Sequence, residues 1–180
     1  MNSDETAYWL DQAIPAQLEF KNVEGRRLGL AALDDAQSLA VTTTFGDVDT
    51  GLKHAEQGVD VRCELLTVAR ATQPEVAAAV VAAADKLTKA KGLLPAQPGV
   101  MLPEILAEDS LSVHHGLLIA PYLWGGQVPQ LPEEGRLTLV CQLLMLTDSE
   151  YAYAVEEGVA KLQEAVAEQG VDILDWKRAG

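Results

Sequence analysis

Cysteine is nearly absent from this 180-residue chain: only Cys63 and Cys141 occur, too few for a disulfide scaffold. Each lies inside an apolar, strand-like run, so two buried, reduced thiols are expected, as suits a cytoplasmic protein. Basic residues are scarce as well. Thirteen Lys and Arg stand against 27 Asp and Glu, a net charge of −14. A surface of that sign repels phosphate backbones and anionic lipid, which argues against nucleic acid and membranes as direct partners. Long apolar runs are missing too. The stretches around 75–85 and 137–146 are too short and too interrupted to span a bilayer. The opening MNSDETAYWL has neither the basic flank nor the apolar run of a signal peptide.

Recognisable catalytic spacing is also lacking. No nucleophile elbow, phosphate-binding loop, dinucleotide fingerprint, HExxH or CxxC occurs. His114-His115 is the one histidine pair, and on a strand adjacent side chains point to opposite faces. The two imidazoles are therefore not expected to share a metal; one should be packed and the other solvated or hydrogen-bonded. His54 falls in a loop and should be exposed. Carboxylate pairs such as Asp47/Asp49 are uninformative where acids are so common, and neither cysteine has an adjacent base to activate it. The expectation is a chain with no catalytic, cofactor-binding or metal-ligating residues.

What is present is the pattern of one α+β domain over residues 1–180. With 48% hydrophobic residues, a chain this long buries roughly 70% of its unfolded surface. An amphipathic helix is expected over 3–13, capped by Ser3 or Asp4 and ended by Pro15. A hairpin of 17–23 with 27–33 turns at Glu24-Gly25. These make an N-terminal appendage of residues 1–37. Strands follow at 38–45 and 59–69, the latter with Val59, Val61, Cys63, Leu65 and Thr67 on one face and Asp60, Arg62 and Glu64 on the other. Thr72 and Glu75 have capping-box spacing, with Pro74 in the first turn, and open a helix to about Lys91 that stops at Gly92. Strands at 110–120 and 135–146 flank a loop at 122–132 that holds the Gly125-Gly126 turn signal. Thr147 and Glu150 form a second capping box for a helical region to about Gln169, broken near Gly158. A last short strand is expected at 171–176. No βα unit repeats, so the sheet should be mixed but largely antiparallel, with helices packed on it.

Charge is unevenly placed. Residues 1–60 carry 11 acids and 4 bases, 61–100 carry 3 and 5, and 101–180 carry 13 and 4. The acids gather at turns and element ends, so either they only solvate the surface or they form a docking face for a basic partner. Asp47, Asp49, Glu104, Glu108 and Asp109 are the acidic candidates for partner contact. Tyr122 and Trp124, aromatics in a Gly/Pro loop, are the apolar candidates, unless they tuck back over the sheet.

The order and spacing of several segments resemble the suppressor of fused domain family across residues 38–178. Those segments are VTTTFGDVD (41–49), VRCELLTVA (61–69) ahead of Pro74, LVCQLLML (139–146), TDSEYAYAVEEG (147–158) and VDILDWKR (171–178). The resemblance implies a suppressor-of-fused-like α+β fold and a non-enzymatic protein-binding domain without agreed catalytic residues. Eukaryotic members clamp an extended peptide of a transcription factor. Small bacterial members are inferred to be immunity proteins that neutralise a cognate toxin, and acidity here suits a basic toxin. The alternatives are a general peptide-interaction module using an open sheet edge, or a metal-dependent hydrolase built on His114 or His115. Oligomeric state is not legible.

Overall fold

The computed structural model describes residues 2–125 and 127–180; Gly126, half of the Gly125-Gly126 signal, lies outside the described residues. The elements are α1 (Ser3–Ala13), β1 (Glu19–Val23), β2 (Arg26–Ala32), β3 (Ser38–Thr42), β4 (Asp60–Ala69), α2 (Gln73–Lys89), β5 (Met101–Leu102), β6 (Val113–Ile119), β7 (Leu131–Glu133), β8 (Arg136–Thr147), α3 (Asp148–Glu157) and α4 (Val159–Glu168). All eight strands join one sheet in the order β1-β2-β3-β4-β8-β6-β5, with β7 also paired to β8. Among the described residues only β4 and β8 run parallel, and every other strand pairing is antiparallel.

The parallel pair sits mid-sheet because its sequence is apolar on both faces: Cys63–Ala69 is buried without a break. On one face, Leu65, Cys141, Leu143 and Met145 pack under α2, whose Ala77, Ala79, Ala83 and Ala84 permit close approach. On the other, Leu66, Val68 and Val140 pack with Leu10 and Ile14 of α1 and its following turn. Farther along that face, Leu117 and Leu146 meet Ala154 of α3 and Leu162 of α4.

Both expected capping boxes form. Thr72 and Glu75, and Thr147 and Glu150, exchange side-chain-to-amide bonds of 2.9–3.2 Å. Glu24 and Gly25 both take positive φ, the two-residue turn that matches strand twist in a hairpin. Gly158, at φ 95°, separates α3 from α4.

Several expectations need correction. The first helix is capped by Asn2, which closes a capping box with Glu5, and not by Ser3 or Asp4. Within the 95–103 connection a two-residue strand, β5, forms, and β7 starts inside the 122–132 loop. Residues 171–176 are turns, not a strand: Trp176 buries its ring beside α2's face of the sheet, and Arg178 ties the tail down. Its guanidinium donates to Glu150 (2.6 and 3.0 Å) and to the carbonyls of Met145, Ile173 and Asp175. Side-chain anchoring thus adds to two main-chain bonds, from Arg70 N to the Leu174 carbonyl and from Ser112 N to the Trp176 carbonyl, both 2.9 Å.

Glu64 was expected on a polar face and is 1% exposed. The strand expected over 38–45 ends at Thr42, since a 3-10 turn (Phe45–Asp47) aims its amides at this carboxyl. Thr42 Oγ1 (2.7 Å), Phe45 N (2.9 Å) and Gly46 N (2.8 Å) all donate to it. A Cβ on Gly46 would stand 2.7 Å from Glu64 Oε2, so the approach requires glycine. Burial pushes the Glu64 pKa from 4.5 to about 7, against the opposing pull of these three donors.

Because that folded pKa exceeds the unfolded one, the native state holds the proton more tightly. The contribution of Glu64 to stability is fully present below pH ~4.5 and is lost as pH rises through about 7. Urea unfolding at pH 5 and pH 8 should show a loss of up to about 3 kcal/mol from this group. Glu64→Gln, destabilised overall by facing its amide to the Gly46 N–H, should flatten that difference. Arg178→Ala, which strips the half-buried Glu150 of its cation, should cost about 3 kcal/mol in the same assay.

Candidate interaction site

β8 is served unequally on its two edges. β4 pairs with it from Arg136 through Gln142. On the opposite edge β7 covers Arg136–Thr138 and β6 begins at Gln142. Among the described residues no strand therefore faces Leu139–Cys141 on that edge. A depression of about 860 Å³ opens at this gap, with His54, Cys63, Pro121, Val128, Gln130 and Cys141 among its walls.

The thiols and the imidazole that line this depression are engaged within the fold. Cys63 Sγ lies 3.7 Å from the Ala96 carbonyl and Cys141 Sγ 3.6 Å from that of Ile119. Contact with the Cys141 thiol, and then burial, push the Cys63 pKa well up, so it stays an inert thiol. His54, half-buried and not fully exposed as expected, accepts the Glu56 and Gln57 amides at Nδ1 (3.3 and 3.2 Å) and so shapes its loop. What remains is an apolar floor edged by exposed Lys53, Gln127 and Gln130, suited to side chains of an extended segment lying along β8.

The sequence-derived contact residues are scattered. Asp47 and Asp49 are exposed at the start of β4 and β8, but each faces an arginine: Arg136 is 3.5 Å from Asp47 and Arg62 3.9 Å from Asp49. Arg62 also reaches Asp60 (3.4 Å), whose pKa the Lys53 ammonium (2.8 Å) holds down. The local field is largely cancelled. Sequence reasoning missed this network, although Asp60, Arg62 and Glu64 share one strand parity, which signals paired charge.

Glu104, Glu108 and Asp109 are exposed at the other end of the sheet. The Glu104 amide donates to His115 (2.9 Å), and His115 lies opposite Leu146, ten residues along β8 from the Arg136 beside Asp47. At about 3.3 Å per residue that is roughly 33 Å, too far for one small acidic patch. Tyr122, 48% exposed, stands between these ends at the margin of the open edge, its amide on Gln142 Oε1 (3.3 Å). Trp124 is half-buried, and its indole N–H donates to the Ala13 carbonyl (2.7 Å).

The histidines do converge, contrary to simple strand alternation. A bulge between Val113 and His115 lets both rings reach Asp148 Oδ1, His115 Nε2 at 2.7 Å and His114 Nδ1 at 3.4 Å. His115 is buried and stacked on Tyr151 at 4.3 Å. Since its Nδ1 accepts the Glu104 amide, Nε2 carries the proton and donates to Asp148, leaving no lone pair for a metal or for base catalysis. These contacts, His115 first, hold the Asp148 pKa below the usual carboxylate range. Among the described residues no group of three or more His, Cys, Asp or Glu is placed to hold a metal ion. Nor is any helix among them long and apolar enough to cross a membrane.

No protein-family model matches the chain, and no curated protein matches it in sequence. Its structure is similar to that of a SUFU (suppressor of fused protein) homolog from Neisseria gonorrhoeae. The TM-score is 0.68 at 15% identity, covering 99% of this chain and 95% of that one. It is also similar to the Sufu–Fu complex structure, with a TM-score of 0.52 at 14% identity, covering 94% of this chain and 77% of that one. The fold is thus suppressor-of-fused-like, an α+β mixed sheet with helices packed on it.

Trp124 should prove structural before it proves functional. Trp124→Ala is expected to lower stability by about 2 kcal/mol through lost packing and the orphaned Ala13 carbonyl. Trp124→Phe should lose about 1 kcal/mol, both read from urea midpoints. Unchanged midpoints would free the ring for partner contact alone.

Proposed function

We propose that this suppressor-of-fused-like chain acts as one non-enzymatic protein-binding domain, a cytoplasmic immunity protein that occupies and neutralises a basic toxin domain. One observation carries the reading: a strand at the middle of the sheet with three residues that no described strand pairs on one edge, opening into an apolar-walled depression of about 860 Å³. An extended segment of the partner would complete β8 between β7 and β6 with main-chain bonds and place alternate side chains in the depression. The similarity to Sufu, which the Sufu–Fu structure shows in complex with Fu, supports a binding role. The net charge of −14 supports a basic partner, since opposite fields speed association.

The test is a binding titration against purified basic toxin domains, with a neutral domain of similar size as the control. Raising salt from about 50 to about 300 mM should slow association at least about tenfold and change dissociation little. Ala55→Trp and Gln127→Trp, at exposed wall positions, should each weaken binding by about tenfold or more with the fold intact by circular dichroism. Salt-insensitive association, or wild-type affinity in both variants, would contradict the proposal.

A further inference from the structure

α4 lies over the sheet without closing on it. Leu162 is its only buried residue, and Val159 and Val166 are half-buried. Beneath it an apolar groove of about 490 Å³ runs along the half-buried Ile119 and Leu144, backed by the fully buried Leu117 and Leu146, with Tyr122 and Ile173 among its margins. This groove is separate from the open edge of β8. Ala120 and Pro121 line that depression, while the flanking Ile119 and Tyr122 line this one.

The covering helices concentrate the protein's charge. Residues 148–175 hold eight acids and one base, Lys161, a net of −7 and half of the total −14. Asp148 is taken by His115, Glu150 by Arg178 and Asp172 by Arg70. Glu156, Glu157, Glu164 and Glu168 are exposed and, among the described residues, have no ion-pair partner. A helix is about 10 Å across, so these carboxylates stand within about a Debye length of anything seated under α4.

Three possible occupants differ in what they would meet. A second copy of this chain would set the four unpaired acids of its own α3 and α4 against these four, and an anionic lipid surface would be repelled likewise. A basic protein segment is attracted. Its form follows from the backbone: the groove floor belongs to the paired part of β6 and β8, Leu117 opposite Leu144 and His115 opposite Leu146. No main-chain groups are free there to receive a strand, so the occupant must satisfy its own backbone. That is a helix.

We propose that the groove under α4 receives an amphipathic helix of the partner, apolar toward the sheet and basic toward solvent. α4 itself, ten residues long, spans about 15 Å, which sets the contact at about three turns. The inference rests on the reading that the partner is a basic protein, and adds a second contact of different form at a different surface.

The probe is a synthetic Leu/Lys amphipathic peptide of about four turns, titrated into the isotopically labelled full chain. Methyl signals of Leu117, Ile119, Leu162 and Val166 should shift, those near Ala55 and Val128 should not, and a peptide of equal charge without the apolar stripe should bind at least about tenfold more weakly. Ala167→Trp, at an exposed groove wall, should abolish the shifts, and the Gln replacement of Glu156, Glu157, Glu164 and Glu168 together should weaken binding by about tenfold at low salt. Ala55→Trp should leave the affinity unchanged, which separates this site from the open edge. Absence of binding, shifts centred on Ala55 and Val128, equal binding of the stripe-free peptide, or wild-type affinity in both groove variants would overturn the inference.

Discussion

The parallel pairing of β4 with β8 is the constraint on which the rest depends. It places two apolar strands at mid-sheet, where α2 covers one face and α1, α3 and α4 cover the other. A parallel partner has to arrive by a long crossover, and here the crossover carries α2, β5, β6 and β7 before β8 begins. β6 and β7 then meet the free edge of β8 from opposite ends and leave a gap between them. The open edge is thus a consequence of how the mid-sheet pair is assembled, and the suppressor-of-fused-like fold is the frame that holds it.

Buried polar groups fix the ends of that frame. Glu64 gathers the amides that end β3 and start the following turn, and Gly46 allows the approach because it has no side chain. Arg178 does the same for the C-terminal tail, joining the start of α3 to a β8 carbonyl. Each is a buried ionisable group held by several hydrogen bonds, and losing one partner leaves buried polar atoms unsatisfied.

Element identity was legible because local chemistry and tertiary packing agree at those places. Both Thr–x–x–Glu boxes, the Glu24-Gly25 hairpin and the Gly158 break all stand where the residues put them. Readings failed where a distant side chain decides. Residues 171–176 have strand-like alternation, yet Trp176 and Arg178 anchor them as turns. A bulge overrides alternation and brings His114 and His115 to one carboxylate. Total charge was readable and its compensation was not: Asp47 and Asp49 look free in sequence, while Arg62 and Arg136 come from strands that only the fold makes adjacent. Four of the acids without an ion-pair partner among the described residues, Glu156, Glu157, Glu164 and Glu168, lie on α3 and α4, in a run that reads as ordinary helix surface.

The gap itself has no sequence signature, because Leu139–Cys141 differ in no way from the paired residues around them. It is visible only once β6 and β7 are placed. Amide hydrogen exchange on the chain, free and bound to a basic protein domain of the kind proposed, addresses it most directly. Slowed exchange within Leu139–Cys141 on binding, with little change along the already paired Leu143–Leu146, is the result expected of a partner strand filling the gap. Unchanged exchange within Leu139–Cys141 in a saturated complex would contradict it.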